Sequence, residues 1–172
     1  MKPITENIIE ESAIEALKSH GWEYANGKEI SPEGLFCERE NFSQIILTDR
    51  LRNAIVKLNP QIPADAQEAA VQKILRISSP DLLHNNEEFH RLLIEKVKIP
   101  YQQNGYERSH EVALIDFENP GHNQFLVVNQ YTIIENNQNK RPDVLLFING
   151  IPLVVIELKN PTDENADRKS VV

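Results

Sequence analysis

Cysteine and positive charge are both scarce in this chain of 172 residues. Cys37 is its one cysteine, so no internal disulfide can form, which favours a reducing cytoplasm as the compartment. Eighteen Lys and Arg residues stand against 26 Asp and Glu, a formal net charge of −8. This balance argues against the whole surface being a nucleic-acid platform. Any contact with nucleic acid therefore has to use a local basic patch, or basic surface on another domain or subunit.

Several features that mark common functional classes are also missing from the sequence. No apolar run approaches the roughly 20 residues that span a bilayer, so we expect no membrane segment. The five histidines show no zinc spacing, and one cysteine cannot form a thiolate cluster. No glycine-rich phosphate loop is present, so these residues are not expected to bind ATP themselves. With 40% apolar residues, the chain can still bury one core of ordinary size.

Hydrophobic periodicity predicts helices in the first hundred residues. A first helix is expected from Thr5, as its cap, to about Ser19. Glu10 falls inside its apolar stripe, as does Glu6 one turn earlier, whereas Glu11 falls on the opposite face. The stripe itself consists of Ile9, Ala13, Ala16 and Leu17. Three further helices, over about residues 42–58, 64–77 and 87–97, are predicted to form a helical insertion of about residues 42–99.

From Glu111 onward the pattern changes to short apolar runs that are typical of strands. The predicted strands cover residues 112–117, 125–134, 143–148 and 153–158. Their short connections favour antiparallel neighbours. The expected fold is therefore α/β (α+β): a mostly antiparallel four-stranded sheet flanked by helices, with the sheet and the site at about residues 111–159. Asn160-Pro161-Thr162 then looks like the start of a helix that is cut off at Val172, which predicts a fragment of something longer.

The most informative segment is a predicted hairpin whose apolar strands end in charged residues. Asn149-Gly150 lies between two apolar runs, which is the strongest short signal for a hairpin. Asp143 enters one strand, and Glu157 and Lys159 leave the other. Two carboxylates and a lysine are costly to desolvate at such a place unless they hold a metal ion or one another.

This combination is typical of a magnesium-dependent site that cuts phosphodiesters. Magnesium prefers oxygen ligands, which Asp143, Glu157 and the backbone carbonyl of Leu158 can supply. Lys159 can orient or deprotonate the attacking water, or stabilise the charge that develops on phosphorus. Glu10, on the first helix, can add a further oxygen to the site, with Glu6 as the reserve candidate.

The register of the hairpin decides whether the acids can meet. A strict two-residue loop would pair Asp143 with Ile156 and leave Asp143 on the face opposite Glu157. One extra loop residue, with Gly150 left-handed in a bulge, would pair Asp143 with Glu157. The site therefore predicts a bulged or otherwise offset hairpin. The alternative is that Glu157 and Lys159 are solvated residues at a strand end and that Asp143 caps a turn.

A series of short motifs between His110 and Ala166 carries a family resemblance. They are Leu114-Ile115-Asp116-Phe117, Asn119-Pro120, Phe125 to Gln130, Arg141-Pro142-Asp143 to Gly150, and Glu157-Leu158-Lys159-Asn160-Pro161. With these motifs the region resembles the N-terminal nuclease domain of the restriction (R) subunit of type I restriction–modification enzymes. The resemblance extends more loosely to Glu10 with Gly21-Trp22, and to residues 50–60.

The resemblance implies a specific chemistry and a specific set of partners. The family's core is of the PD-(D/E)xK nuclease type, which implies Asp143, Glu157 and Lys159 as catalytic residues and Glu10 as an additional acid. It further implies Mg²⁺ or Mn²⁺ as the cofactor and double-stranded DNA as the substrate. Such subunits join the nuclease to ATP-driven motor domains and work with methylation and specificity subunits. The family's Gln-x-x-x-Tyr motif follows the lysine on a helix, and this chain stops before it.

Three interpretations remain open at this point. The first is a Mg-dependent endonuclease domain over residues 1–172 of a type I R subunit, which cuts DNA after translocation by motor domains outside this chain. The second is a stand-alone PD-(D/E)xK nuclease of DNA repair or recombination. The third is a non-catalytic docking module that binds a protein through its acidic surface. We expect the first, and we expect the isolated chain to cut DNA weakly or not at all.

Overall fold

The computed structural model describes residues 5–77 and 81–159. Its helices are α1 (Glu6–Ser19), α2 (Thr48–Leu58), α3 (Ala64–Leu75) and α4 (Leu82–Glu95). Its strands are β1 (Glu23–Asn26), β2 (Val97–Gln103), β3 (Tyr106–Val112), β4 (Phe125–Asn129), β5 (Ile133–Glu135), β6 (Gln138–Lys140), β7 (Val144–Ile148) and β8 (Ile151–Ile156). None of the described helices is long and apolar enough to cross a membrane.

The described residues fall into two compact units. A sheet unit contains residues from 5–45, 125–147 and 152–159, and a helical unit contains residues from 46–77, 81–124 and 148–151. The core of the helical unit joins α2 and α3 to the base of the β2–β3 hairpin, where Val97 and Val112 are fully buried. The predicted helix from Asn160 onward lies outside the described residues.

The sheet unit is built on a four-stranded sheet with the order β1-β4-β7-β8. β1 runs parallel to β4, with Asn26 opposite Asn129. Asn149, just after β7, donates its N–H to the carbonyl of Gln124, just before β4, at 2.9 Å. β4 and β7 are therefore antiparallel, and the two-residue connection makes β7 and β8 antiparallel as well. The ends of β1, β4 and β8 and the start of β7 consequently lie at one end of the sheet, which we call the site end.

Helix α1 packs on the sheet through a narrow apolar contact. Ile14 is buried against Val127 and Val144, and Leu17 and Trp22 pack against this cluster. The predicted helix of residues 5–19 is thus confirmed, although Thr5 makes no side-chain capping bond. The predicted apolar stripe is wrong in one position: Ala16 is exposed, and the adjoining Ile14 makes the buried contact.

The three further helices are found, two of them with shifted starts, while α3 begins at Ala64 as predicted and ends at Leu75 rather than 77. α2 begins at Thr48 rather than 42, because the side chain of Asn41 accepts the N–H groups of Ser43 and Gln44 and holds that stretch in a turn. α4 begins at Leu82 rather than 87, because Asp81 caps it by accepting the N–H groups of Leu83 and His84. Asp81 thus fixes the start of α4, whereas α2 follows Leu47, which makes no side-chain capping bond.

The four-stranded sheet is confirmed, but its membership and strand directions differ in part from the prediction. The sheet is mixed, because β1 joins it in parallel with β4. Residues 113–117 are not a strand, since the Asp116 side chain accepts the N–H groups of Glu118 and Asn119 and forms a turn. The predicted strand 125–134 ends at Asn129, where Gln130 has a positive φ of 54°.

Candidate active site

Asp143 lies immediately before β7, at the site end, and is half-buried. Its Oδ2 accepts the backbone N–H of Leu158 at 2.6 Å. Leu158 stands between Glu157 and Lys159, so this bond ties the carboxylate to the segment that follows β8. The structure thus brings Asp143 to the backbone of the Glu-x-Lys motif.

Glu157 and Lys159 are both exposed, whereas Leu158 between them is half-buried. All three residues lie beyond the end of β8 at Ile156. The exposed pair is therefore accessible to a large polyanionic ligand, while Leu158 anchors the segment through its bond to Asp143. Their joint role as catalytic residues stays a prediction.

The loop of the hairpin is not the bulged one that the sequence predicted. Asn149 and Gly150 have φ values of 53° and 79°, and positive values at both positions are typical of a strict two-residue turn. Gly150 is also held closely, because an added Cβ would lie 2.5 Å from the carbonyl oxygen of Leu47. The predicted bulge at Gly150 is therefore wrong. Asp143 instead reaches Leu158 directly, since both residues lie outside the strands, where the alternation of faces no longer holds.

Glu10 faces the sheet, as its position on the helix predicted. Its Oε1 accepts a hydrogen bond from Nδ2 of Asn129, the last residue of β4, at 2.6 Å. Glu11 is exposed instead and accepts a bond from Asn7 at 2.8 Å. Glu6, the reserve candidate, is exposed as well. The orientation of Glu10 is therefore confirmed, and its role in a metal site stays a prediction.

The donor atoms at the site end have the chemistry that magnesium prefers. Among residues 5–77 and 81–159, no group of three or more His, Cys, Asp or Glu side chains could hold a metal ion. Magnesium, however, is usually held by only one or two carboxylates, with waters filling the remaining positions. Asp143, Glu157 and the carbonyl of Leu158 offer oxygen alone, and the bond to Leu158 leaves the Asp143 carboxylate with further acceptor capacity. The residues present thus fit a hard divalent cation.

Two residues at the site end were missed or only half recognised in the sequence. Asn129 ends the apolar run of β4, but its bond to Glu10 could not be foreseen from the sequence. Tyr24, which donates its hydroxyl to Oδ1 of Asn129 at 3.0 Å, gave no signal. Tyr131, two residues further along, is a core residue: it is fully buried and donates to the carbonyl of Ile45 at 2.9 Å.

The fold is that of a mixed α/β domain, with a four-stranded sheet and a helix packed on it, and is consistent with a nuclease-like fold. The family described as "Type I restriction enzyme R protein N terminus" matches residues 3–170. The chain belongs to this family, and the resemblance seen in its motifs is confirmed.

Curated relatives of the chain are likewise named after type I restriction enzymes. The chain is 42% identical over 166 residues to the "Type I restriction enzyme HindI endonuclease subunit" of Haemophilus influenzae, covering 95% of this chain and 16% of that protein. It is 37% identical over 157 residues to the "Putative type I restriction enzyme MjaIXP endonuclease subunit" of Methanocaldococcus jannaschii, covering 90% and 15%. The chain thus spans about a sixth of the length of these relatives.

Proposed function

We propose that this chain is the Mg-dependent endonuclease domain of a type I restriction enzyme R subunit, which cuts double-stranded DNA. The observation that carries the proposal is the 2.6 Å bond between the N–H of Leu158 and Oδ2 of Asp143. It puts the first acid of the motif beside the backbone of the second acid and the lysine. Membership of the family supports the same assignment.

Each residue of the motif has a distinct part in the proposed chemistry. Asp143, Glu157 and the carbonyl of Leu158 would hold the ion, with Glu10 as an additional acid. Bound there, Mg²⁺ lowers the pKa of water and neutralises charge on the phosphate. Lys159 would accept the proton of the attacking water or donate a hydrogen bond to a phosphate oxygen. The exposure of Glu157 and Lys159 leaves both side chains accessible to a DNA backbone.

The proposal extends to partners of the whole protein. We propose that the whole protein is cytoplasmic, that it works with methylation and specificity subunits, and that it uses ATP only through motor domains beyond these residues. The net charge of −8 gives the chain little of the counterion-release affinity that holds DNA. We therefore propose that loading onto DNA depends on those other components, and that residues 1–172 alone cut poorly.

Manganese binding by the chain tests the proposed metal site. We expect weak Mn²⁺ binding by electron paramagnetic resonance, and a loss of about tenfold or more in affinity in Asp143→Asn. Asn is the sharper replacement, because its amide oxygen can still accept the N–H of Leu158 while the charge is lost. Glu11→Gln, which removes an exposed acid from the opposite face of α1, is the matched control and should bind like the unchanged chain.

The same titration distinguishes the proposed metal site from a non-catalytic docking module. If Asp143→Asn binds Mn²⁺ as tightly as the unchanged chain, or if the unchanged chain binds none, the acids do not form a metal site. The interpretation as a non-catalytic docking module would then be favoured.

A further inference from the structure

A chain of hydrogen bonds fixes the carboxylate of Glu10 at the site end of the sheet. Tyr24 donates its hydroxyl to Oδ1 of Asn129 at 3.0 Å, and Asn129 donates Nδ2–H to Oε1 of Glu10 at 2.6 Å. Glu10 and Asn129 are both half-buried, and 119 positions of sequence separate them. The bond therefore joins α1 to the end of β4.

The chemistry of the three groups allows one arrangement of the Asn129 amide. An ionised carboxylate only accepts hydrogen bonds, so the NH₂ group of the amide has to face Glu10. The amide oxygen then faces Tyr24, whose hydroxyl can donate to it. A flipped amide would set two oxygens against each other. Glu10 thus sets the orientation of the amide, and Tyr24 adds a second bond that holds the amide in place.

The backbone of Asn129 is itself held on a rigid element. Asn129 pairs with Asn26 in the parallel ladder, and its carbonyl accepts the N–H of Gly27 at 2.8 Å. Gly27 permits this approach, because a Cβ at that position would lie 2.7 Å from the same carbonyl oxygen. The Asn129 side chain therefore projects from a fixed strand end rather than from a loop.

The register of the sheet places this strand end beside Asp143. β4 and β7 are antiparallel neighbours, and residues 124 and 149 face each other at the opposite end. Counting inward from that pair sets Asn129 opposite Val144, which directly follows Asp143. The acid on α1 is thus tied to the strand position that neighbours the first acid of the hairpin.

We propose that Asn129 is a positioning residue for the metal site: it fixes Glu10 through Oε1, so that Oε2 can act on the waters of the ion rather than as a third carboxylate ligand, and Tyr24 adds a second bond to the amide. The inference rests on the proposed function, because it assigns Glu10 to that site. Helix α1 carries a second amide–carboxylate pair, in which Asn7 donates to Glu11 at 2.8 Å. Both residues of this pair are exposed, and Glu11 lies on the face of the helix opposite the sheet. This pair provides a matched control.

A double-mutant cycle on Mn²⁺ affinity tests whether Asn129 acts through Glu10. We expect Asn129→Ala and Glu10→Gln each to weaken Mn²⁺ binding by about three- to tenfold, and the double variant to bind no more weakly than Glu10→Gln alone. If Asn129 had a merely structural role, Asn129→Ala would instead lower Mn²⁺ affinity equally in the unchanged chain and in Glu10→Gln. Asn7→Ala should leave the affinity unchanged.

If Asn129→Ala does not fold, the Tyr24→Phe variant tests the same inference. This variant removes one hydroxyl from a side chain that is 42% exposed, so the fold should be retained. We expect a loss of about twofold in Mn²⁺ affinity that disappears in the Glu10→Gln background. If Asp143→Asn loses Mn²⁺ but Asn129→Ala and Tyr24→Phe do not, this inference fails and the proposed function stands. If Asp143→Asn binds normally, the proposed function itself fails.

Discussion

Arg39 and Tyr131 form a buried pair of residues in the sheet unit. Arg39 is 2% exposed, and its guanidinium carbon lies 3.8 Å from the centroid of the Tyr131 ring. Its Nη1 donates to the carbonyl of Thr132 at 3.0 Å, whereas its buried Nε and Nη2 have no hydrogen-bond partner in the part of the chain that the structure describes. A buried charge that is only partly satisfied contributes little net stability, because desolvation offsets the attraction.

The packing of Arg39, rather than its charge, should therefore matter for stability. We expect Arg39→Met, which fills a similar volume, to change the free energy of unfolding by less than about 1 kcal/mol. Arg39→Ala should cost about 2–4 kcal/mol, because it leaves a cavity beside the Tyr131 ring. Urea denaturation of both variants measures the difference. Equal losses in the two variants would show that the charge is what stabilises the pair.

Tyr131 should make the stability of the chain fall at alkaline pH. Burial raises the pKa of Tyr131 to about 12, although the nearby Arg39 acts in the opposite direction. The pKa of Tyr131 in the folded chain thus lies above its unfolded value of about 10. The contribution of Tyr131 to the free energy of unfolding is therefore full below pH 10 and is lost as the pH rises through about 12. In Tyr131→Phe this fall in unfolding free energy should be smaller. Tyr106→Phe, at a residue 73% exposed, is the control and should keep it.

At the scale of elements, local signals were predictable and long-range pairings were not. Helix α1 and the β7–β8 hairpin follow from periodicity and from Asn149-Gly150, which act within a few residues. β1 was not recognised as a sheet member, because its place depends on pairing with β4, about a hundred residues later. The acids of the proposed site could be predicted from the hairpin. The bond from Leu158 to Asp143 could not be predicted, because it forms outside the strands.

Asn149 is the residue on which the hairpin loop most depends. It is 1% exposed, has a φ of 53°, and its Nδ2 donates to the carbonyl of Leu114 at 2.8 Å. Asn149→Gly loses the side-chain bonds but keeps the left-handed backbone, and should cost about 2–4 kcal/mol. Asn149→Ala should cost about 1 kcal/mol more, because alanine is strained at positive φ. Thermal denaturation that gives equal losses would show that backbone strain plays no part.

At the scale of the whole molecule, the chain corresponds to a small part of the relatives that it matches. It spans 16% of the Haemophilus influenzae subunit that it matches. The net charge of −8 and the oxygen donors at the site end are compatible with the proposed function, in which other components load the DNA. Sequence alone indicated the family, which is confirmed, and the acids of the proposed site, which stay a prediction. It could not indicate the hydrogen bonds from Tyr24 to Asn129 and from Asn129 to Glu10, because these contacts exist only in the folded sheet.

The proposed nuclease site is best tested by replacing its residues in the proposed full-length subunit, assembled with the methylation and specificity subunits proposed as its partners. The measurement is plasmid cleavage and ATP hydrolysis in parallel, with Asp143→Asn, Glu157→Gln and Lys159→Ala, and with Glu11→Gln as the exposed control. We predict that cleavage falls by about a hundredfold or more in the three variants, while ATP hydrolysis stays within about twofold and the control is unchanged. Retained cleavage in Asp143→Asn, or loss of ATP hydrolysis in a folded variant, would contradict the account.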